Sequence, residues 1–487
     1  MSRPADGQLQ AGDPLPEEVA AAHADLSALD LELRRHLLAN EAGLRRATFG
    51  VVDHGKLLTS LIQPWPTFVG RRLVDELARA SARLLRLVKS LPERWFGNDP
   101  QRLADFYHLP SPSLASQIIE PPTGFASALA RGDFLRSTKG FRCVELNVTS
   151  SLGGWEAFGL AEAVLRHPII RGFLEDRGVE VASRDTLRVV LGHVVDTALR
   201  AGRADGGELN TVIGMHKASQ RIEITAAVQG AFDRCYAAAL ADVDPSLRGR
   251  LSFSYYPDLT ADDGGLRHAG RRVHALIEGH LGKTDPSVLR AFKSRQLDLY
   301  NGPMCYVLGD KRNLALLSEG AEDGRFDAEE QRWIETYVPW TRRVSHGETS
   351  FHGRRSPMRE LLVAERGELV LKKARSTGGD DVIVGRSTPA DRWRELVDRC
   401  LESGDWLVQE RVDSRGYLYQ EGERGCSVHH AVWGPFVAGE RYGGAMLRVK
   451  PRRLGDVVNS AQGASKSLLF EVDEKAASAD RPHRRHG

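Results

Sequence analysis

The sequence predicts a mixed fold of the α+β / α/β class, built in more than one domain behind a helical N-terminal region. Three observations predict it. Apolar residues recur at three and four over much of the first 110 residues, the period of amphipathic helices. From about Leu209 to Tyr256, strand, helix and strand signals follow in turn, the rhythm of a small α/β unit with a parallel sheet. The last third mixes strand pairs with helices, and 487 residues exceed what one core serves, so two or three domains are expected.

Taken in order, the first 18 residues are polar, rich in Gly and Pro, and expected to be disordered. "EEVAAAHADLSALDLELRRHLLANEAGLRR" (17–46) reads as a helix, and a second covers 69–91. These first 110 residues carry no nameable chemistry. Extended signals begin near Gly124. "EAFGLAEAVLRH" after Trp155 and the stretch 186–201 read as helices. A strand at 209–216, a helix at 226–240 and a strand at 251–256 make the parallel unit. "LRAFKSRQL" from Leu289 is a helix, and another starts near Lys311. Residues 369–372 and 382–384 read as strands, 389–402 as a helix and "WLVQERV" (406–412) as a buried strand, with further strands through Leu454. "DRPHRRHG" at the end is basic and reads as an unfolded tail.

Composition narrows the function classes. At 41% hydrophobic and 27% charged, the chain is of ordinary globular type. A formal net charge of +2 sets up no global field, so neither nucleic acid nor an anionic membrane is expected as a partner. There is no run of about 18 apolar residues and no apolar leader segment, so a cytoplasmic protein is expected. Five scattered cysteines (Cys143, Cys235, Cys305, Cys400 and Cys426) lack CxxC spacing and suit reduced thiols. Cys426 with His429 and His430 is the nearest approach to a zinc motif, and its spacing is not that of known zinc sites.

"FRCVELNVTSSLGGW" (141–155) is odd for a core strand, because Glu145 and Asn147 share one face. Upstream, Ser-Thr-Lys-Gly is a turn signal between two alternating runs. A three-residue loop, Thr138-Lys139-Gly140, with glycine in the left-handed region pairs Ser137 with Phe141. That register sets Asp133 opposite Glu145 and Arg131 opposite Asn147, all four on one face. Opposed carboxylates repel unless a cation lies between them. Two carboxylates and an amide carbonyl are hard ligands of the kind Mg²⁺ takes, with water and phosphate completing its shell. The spacing suits a solvated edge hairpin equally well, with Asp133 paired to Arg131 or Arg142.

In "LVLKKARSTGGDDVIVGR" one strand runs through Ser376, Thr377, Gly378 and Gly379 into the next. Small residues at such a tip let backbone N–H groups approach anionic oxygens, and Lys372 at the strand end can neutralise phosphate charge. Further on, "WLVQERV" carries Gln409 and Glu410 at a strand end whose backbone suits an adenine edge, though each segment alone also fits ordinary core structure.

Together these segments resemble the circularly permuted ATP-grasp ligases, specifically the synthetase domain of glutathionylspermidine synthase and its relatives. In that permuted order the acid-x-Asn motif comes first, as in "RGDF…VELNVTSSLGG". "QLDLYNGPMCYVLGDKRNLALL" follows, with Lys311 matching the first nucleotide lysine. "LVLKKARSTGGDDVIVG" matches the second, Lys372, and the glycine-rich lid. "WLVQERV" matches the adenine hinge, with Gln409, Glu410 and Val412. "GERYGGAMLRVKP…VVNSAQGA" matches the stretch with a catalytic arginine, Arg448, and a later Asn459. Lys373, where the family usually has proline, and "TSSLGG", where its best-known members have a Thr-Pro turn, depart from the pattern; the second departure concerns the acceptor substrate.

The resemblance implies a permuted ATP-grasp fold: a metal-site part at 124–180, a pre-ATP-grasp-like α/β domain at 181–300, a nucleotide-binding part at 301–470, with 1–18 and 471–487 disordered and 19–123 helical. It implies an ATP-dependent carboxylate–amine ligase working through an acyl phosphate, with Mg²⁺ on Asp133, Glu145 and Asn147. Lys311 and Lys372 would take the α- and β-phosphates, Ser376–Gly379 would close over them, and Arg131 and Arg448 would stabilise the transferring phosphoryl group or the tetrahedral intermediate. Ser150 and Ser151 would touch substrate, a small-molecule or short-peptide carboxylate joined to an amine acceptor. An ATP-dependent phosphotransferase and a catalytically silent ATP-binding protein are the alternatives.

Overall fold

The longest helix, Arg71–Phe96, buries Leu73, Leu77, Leu84, Val88 and Leu91 along one stripe, the spacing read from the sequence. It ends at Gly97, whose φ of 62° is a left-handed cap that glycine adopts without strain. The computed structural model of the chain describes residues 8–9, 13–39, 62–119, 125–148, 152, 154, 159–215, 224–279, 284–376, 381–421 and 425–473. The single helix expected over 17–46 is instead two, Glu17–Ala24 and Ala28–Ala39, with 40–46 outside the described residues. The break lies at Ser27, whose Oγ accepts the Asp30 N–H at 3.0 Å and so starts the second helix as a cap. Within the stretch expected to be disordered, Gln8–Leu9 pair with Ser427 and Cys426. At the far end, residues 471 and 472 belong to the strand Ser465–Val472 rather than to a tail.

Three sheets position the site. The largest has nine strands among the described residues. Its main path runs Thr67–Gly70, Ser465–Val472, Arg441–Pro451, Cys426–Ala438, Leu129–Ser137 and Gly140–Asn147, parallel in the first pair and antiparallel after it. The N-terminal helices share its core: Leu33, Leu84 and Leu85 pack in one cluster with Trp433, Leu447 and Phe470. The second sheet is the expected parallel unit, ordered Asp298–Tyr300, Ala275–Glu278, Thr211–Met215, Leu251–Tyr255. Helices Thr186–Arg200 and Ala226–Val243 contribute Leu191, Val194, Phe232 and Tyr236 to its core. The third sheet is antiparallel, ordered Thr341–Arg343, Trp406–Glu410, Leu369–Lys373, Val382–Val384. It has a core of its own, in which Leu371 and Val408 meet Leu362 and Trp393. The chain is thus a mixed α/β fold, and no helix among the described residues is long and apolar enough to cross a membrane.

Candidate functional site

The site is built on the hairpin of Leu129–Ser137 and Gly140–Asn147. Asp133 pairs with Glu145 and Arg131 with Asn147, as the sequence predicts. The turn does not follow prediction. Ser137 pairs with Gly140, not Phe141, so the loop has two residues, Thr138 and Lys139, and Gly140 follows with φ 103°. A β-bulge then restores the register: Phe134 pairs with Cys143 but Asp133 with Glu145, leaving Val144 as the extra residue. The bulge also reverses the faces. In a regular strand Cys143 and Glu145 would point the same way; here Cys143 is buried in the core while Glu145 and Asn147 line a cavity.

That cavity, of about 780 Å3, lies where the large and the small antiparallel sheets meet. The large sheet contributes Arg131, Asp133, Glu145, Asn147 and Arg448, and the small sheet Lys372, Gln409 and Glu410. Lys311, Ser376, Val412 and Asn459 also line it. The hairpin is therefore not a solvated edge, since Asp133 is only 7% exposed. Asp133 faces Arg448 Nη2 at 2.5 Å and Arg131 Nε at 3.4 Å. Burial pushes its carboxyl up, but Arg448 and Arg131 outweigh that and hold it below the ordinary carboxylate value. Arg142, the other partner offered for Asp133, donates to Glu335 O instead.

Lys311 stands at the N-cap of the helix Arg312–Glu322, but its side chain does not cap it. Nζ donates to Ser376 O at 2.6 Å and lies 3.3 Å from Glu145 Oε1, tying the acid face to the start of the glycine-rich loop. Lys372 Nζ donates to Val144 O at 2.9 Å and to Gln409 Oε1 at 2.7 Å. Burial pulls its ammonium down to about 8, against the pull of Glu145. Gln409 itself is buried, its Nε2 donating to Thr341 Oγ1, so its side chain fixes Lys372, and its backbone lies inside the sheet, paired with Thr341 on one side and Val370 on the other. Beyond it, Val412 makes no backbone hydrogen bond among the described residues. Ser150, Ser151, Thr377, Gly378 and Gly379 lie outside the described residues.

Two close approaches fix this layout. A Cβ on Gly309 would lie 2.7 Å from Val148 O, so glycine lets the segment before Lys311 touch the end of the acid strand. A Cβ on Gly434 would lie 3.2 Å from Arg131 Cδ, over which that side chain runs.

Asp310 and Arg375 line the cavity and were missed in the sequence. Asp310 binds Arg312 through both oxygens (3.0 and 2.7 Å) and takes Arg375 Nε at 3.2 Å. Their signal was adjacency alone, one beside each nucleotide lysine segment. At the opposite end Asp456 accepts Ser387 Oγ at 2.8 Å, with His430 Nε2 at 3.5 Å and Arg386 Nε at 3.7 Å. Cys426, His429 and His430 do not form a metal cluster: His429 Nδ1 is hydrogen-bonded to Ser427 O while His430 meets Ser414.

No group of three or more His, Cys, Asp or Glu side chains among the described residues could hold a metal ion. The oxygen donors that the acid face offers are the carboxylates of Asp133 and Glu145 and the amide of Asn147, a set that leaves the remaining positions of a cation to water and a bound anion. That donor set fits Mg²⁺, which keeps waters and takes phosphate oxygens, better than a closed all-protein cage. No protein-family model matches the chain, and no curated protein matches it either.

Proposed function

We propose that the chain is an ATP-dependent carboxylate–amine ligase that forms an amide bond through an acyl phosphate, releasing ADP and phosphate. One observation carries this reading. Five segments far apart in sequence, in the permuted order, bring Asp133 and Glu145, Lys311, Lys372, Gln409 to Val412, and Arg448 to one cavity. Its size is that of a small-molecule site.

The lining supports a nucleotide laid from one end to the other. Val370, Val382 and Val384 of the small sheet and Leu135 and Val432 of the large one line it, apolar surface suited to a flat base near Val412. Lys311 and Lys372 neutralise phosphate charge between base and acids, and Ser376 begins the loop that closes over them. Arg131 and Arg448 stabilise charge on the transferring phosphoryl group and on the tetrahedral adduct formed when the amine attacks, each donor contributing about 3 kcal/mol. Catalysis of this kind rests on positioning and electrostatics, not on a protein nucleophile. Mg²⁺, held by Asp133, Glu145 and Asn147, would supply further charge neutralisation at the β- and γ-phosphates.

The test is incubation with ATP, Mg²⁺ and pooled amino acids, short peptides and polyamines, following ADP, phosphate and new masses. The expected product weighs one water less than its two precursors together. Glu145→Ala is the control, because its side chain is 28% exposed and its loss leaves Lys311 still donating to Ser376 O. Asp133→Ala would instead take the carboxylate from between Arg448 and Arg131 and leave the buried Arg448 guanidinium without that counter-charge, a cost of about 3–5 kcal/mol. A product heavier by one phosphoryl group would establish a phosphotransferase. Absence of Mg²⁺-dependent ATP binding in calorimetry would remove the nucleotide site altogether.

A further inference from the structure

Three consecutive residues at the end of the N-terminal helix Pro100–Tyr107 contact the segment that carries Lys311. The Arg312 guanidinium lies 4.7 Å from the centroid of the Phe106 ring. Tyr107 Oη donates to Asn313 Oδ1 at 2.8 Å, and both residues are buried. Arg312 Nη1 approaches His108 Nε2 at 3.4 Å. His108 can follow so closely because it leaves the helix in the left-handed conformation, φ 48°.

The same segment is held from two other sides. Asn313 Nδ2 donates to Val307 O at 2.7 Å and to Leu308 O at 3.2 Å, closing the turn before Lys311. Asp310, chelating Arg312, reaches Arg375, and the Lys311 N–H reaches Ala374 O at 3.2 Å. Lys311 precedes Arg312 and Asn313 directly, with φ −62° and ψ −22°, so the first turn of Arg312–Glu322 sets the direction of its side chain. A phenylalanine at position 107 would fill the same space. The hydroxyl adds a direction, because a buried donor and acceptor must align where packing alone tolerates rotation.

We propose that Tyr107, with Phe106, is a positioning residue: it fixes the first turn of Arg312–Glu322 so that the Lys311 ammonium points at the phosphates of a bound nucleotide. This gives the helical N-terminal region, which carries no chemistry of its own, a part in ligand binding. It rests on the nucleotide reading of the cavity.

The test is a double-mutant cycle on Mg-ADP affinity, measured by calorimetry for the wild type, Tyr107→Phe, Lys311→Met and the double variant, each checked for folding by thermal unfolding. Tyr107→Phe is expected to weaken Mg-ADP about fivefold to tenfold in the wild-type background and less than about twofold beside Lys311→Met, since the two act through one contact. Phe106→Leu, entered in the same cycle, serves if Tyr107→Phe does not fold. Equal losses in both backgrounds, or no loss from either variant, would overturn the positioning role while leaving the nucleotide site standing. A wild-type protein that binds no Mg-ADP would overturn both.

Discussion

At the scale of single residues, Lys372 shows how the cavity tunes a group for phosphate. Two of its three N–H donors are taken by Val144 O and Gln409 Oε1, which aim the third. Burial lowers the ammonium to about 8, with Glu145 raising and Lys311 lowering it further. Phosphate needs the protonated form. Mg-ADP affinity should therefore fall as pH rises through about 8, approaching tenfold per pH unit beyond it, and Lys372→Met should flatten that limb. Stability has the opposite sign. The folded value lies below the ordinary 10.5, so between the two the unfolded chain binds more protons and stability rises with pH across that window. Calorimetric titrations between pH 6.5 and 9.5, beside urea midpoints at the same pH, separate the two trends. An affinity that is flat with pH would take Lys372 out of phosphate contact.

At the scale of elements, the hairpin shows what a sequence reveals and what it hides. Asp133 stands opposite Glu145 as turn chemistry and alternation predict, but only because two departures from the predicted register offset each other. The bulge was not legible, since Val144 differs in no way from a regular strand valine and its role exists only against Asp133 on the partner. Two errors cancelled: a loop one residue shorter than expected and one extra residue in the strand. The helix break at Ser27 carried a readable signal, Ser followed at the third place by Asp30, but the apolar period ran across it and was followed instead. Asp310 and Arg375 were invisible for another reason, because they meet across 65 positions in the chain. Inserting one alanine between Asp133 and Phe134 tests the bulge directly, because it gives Val144 a partner and makes the ladder regular. It should turn Asp133 and Glu145 toward the face now held by Cys143, or force the hairpin to slip, and in either case bury charge without a partner. The expected outcome is a protein destabilised by about 3–5 kcal/mol, whereas Val144→Ala, which keeps the register, should cost about 1 kcal/mol. Urea unfolding of the two variants decides it; equal costs would mean that the bulge does not set the faces.

At the scale of the whole molecule, the question is whether the N-terminal helices are an attachment or part of one cooperative unit. A buried network argues for the second. Leu418 N–H donates to His23 Nε2 at 2.8 Å, so the His23 proton sits on Nδ1, which donates to Asp30 Oδ2 at 2.6 Å. Asp30 Oδ1 accepts from the Phe68 N–H at 2.8 Å and from Arg34 Nη2 at 3.0 Å, and Arg34 lies 4.9 Å from the Tyr419 ring centroid. One carboxylate thus joins both N-terminal helices to two strands of the large sheet, Thr67–Gly70 and Gly416–Gln420, with no solvent contact at His23, Asp30 or Arg34. Asp30→Ala would leave a buried guanidinium uncompensated and remove the acceptor for a buried N–H, at about 3–5 kcal/mol, a large share of the 5–15 kcal/mol that holds a typical domain together. A fragment starting at residue 124 loses that network as well as the edge strand Thr67–Gly70 and the Leu84 and Leu85 face of the core. It is expected not to fold, and so not to bind nucleotide, although it retains all the residues assigned to phosphate and metal. Circular dichroism and Mg-ADP calorimetry on the fragment give the answer. A folded fragment with full affinity would make the N-terminal region an appendage and the Tyr107 contact dispensable; loss of folding would mean that the cavity exists only because the N-terminal helices complete the sheet that forms one of its walls.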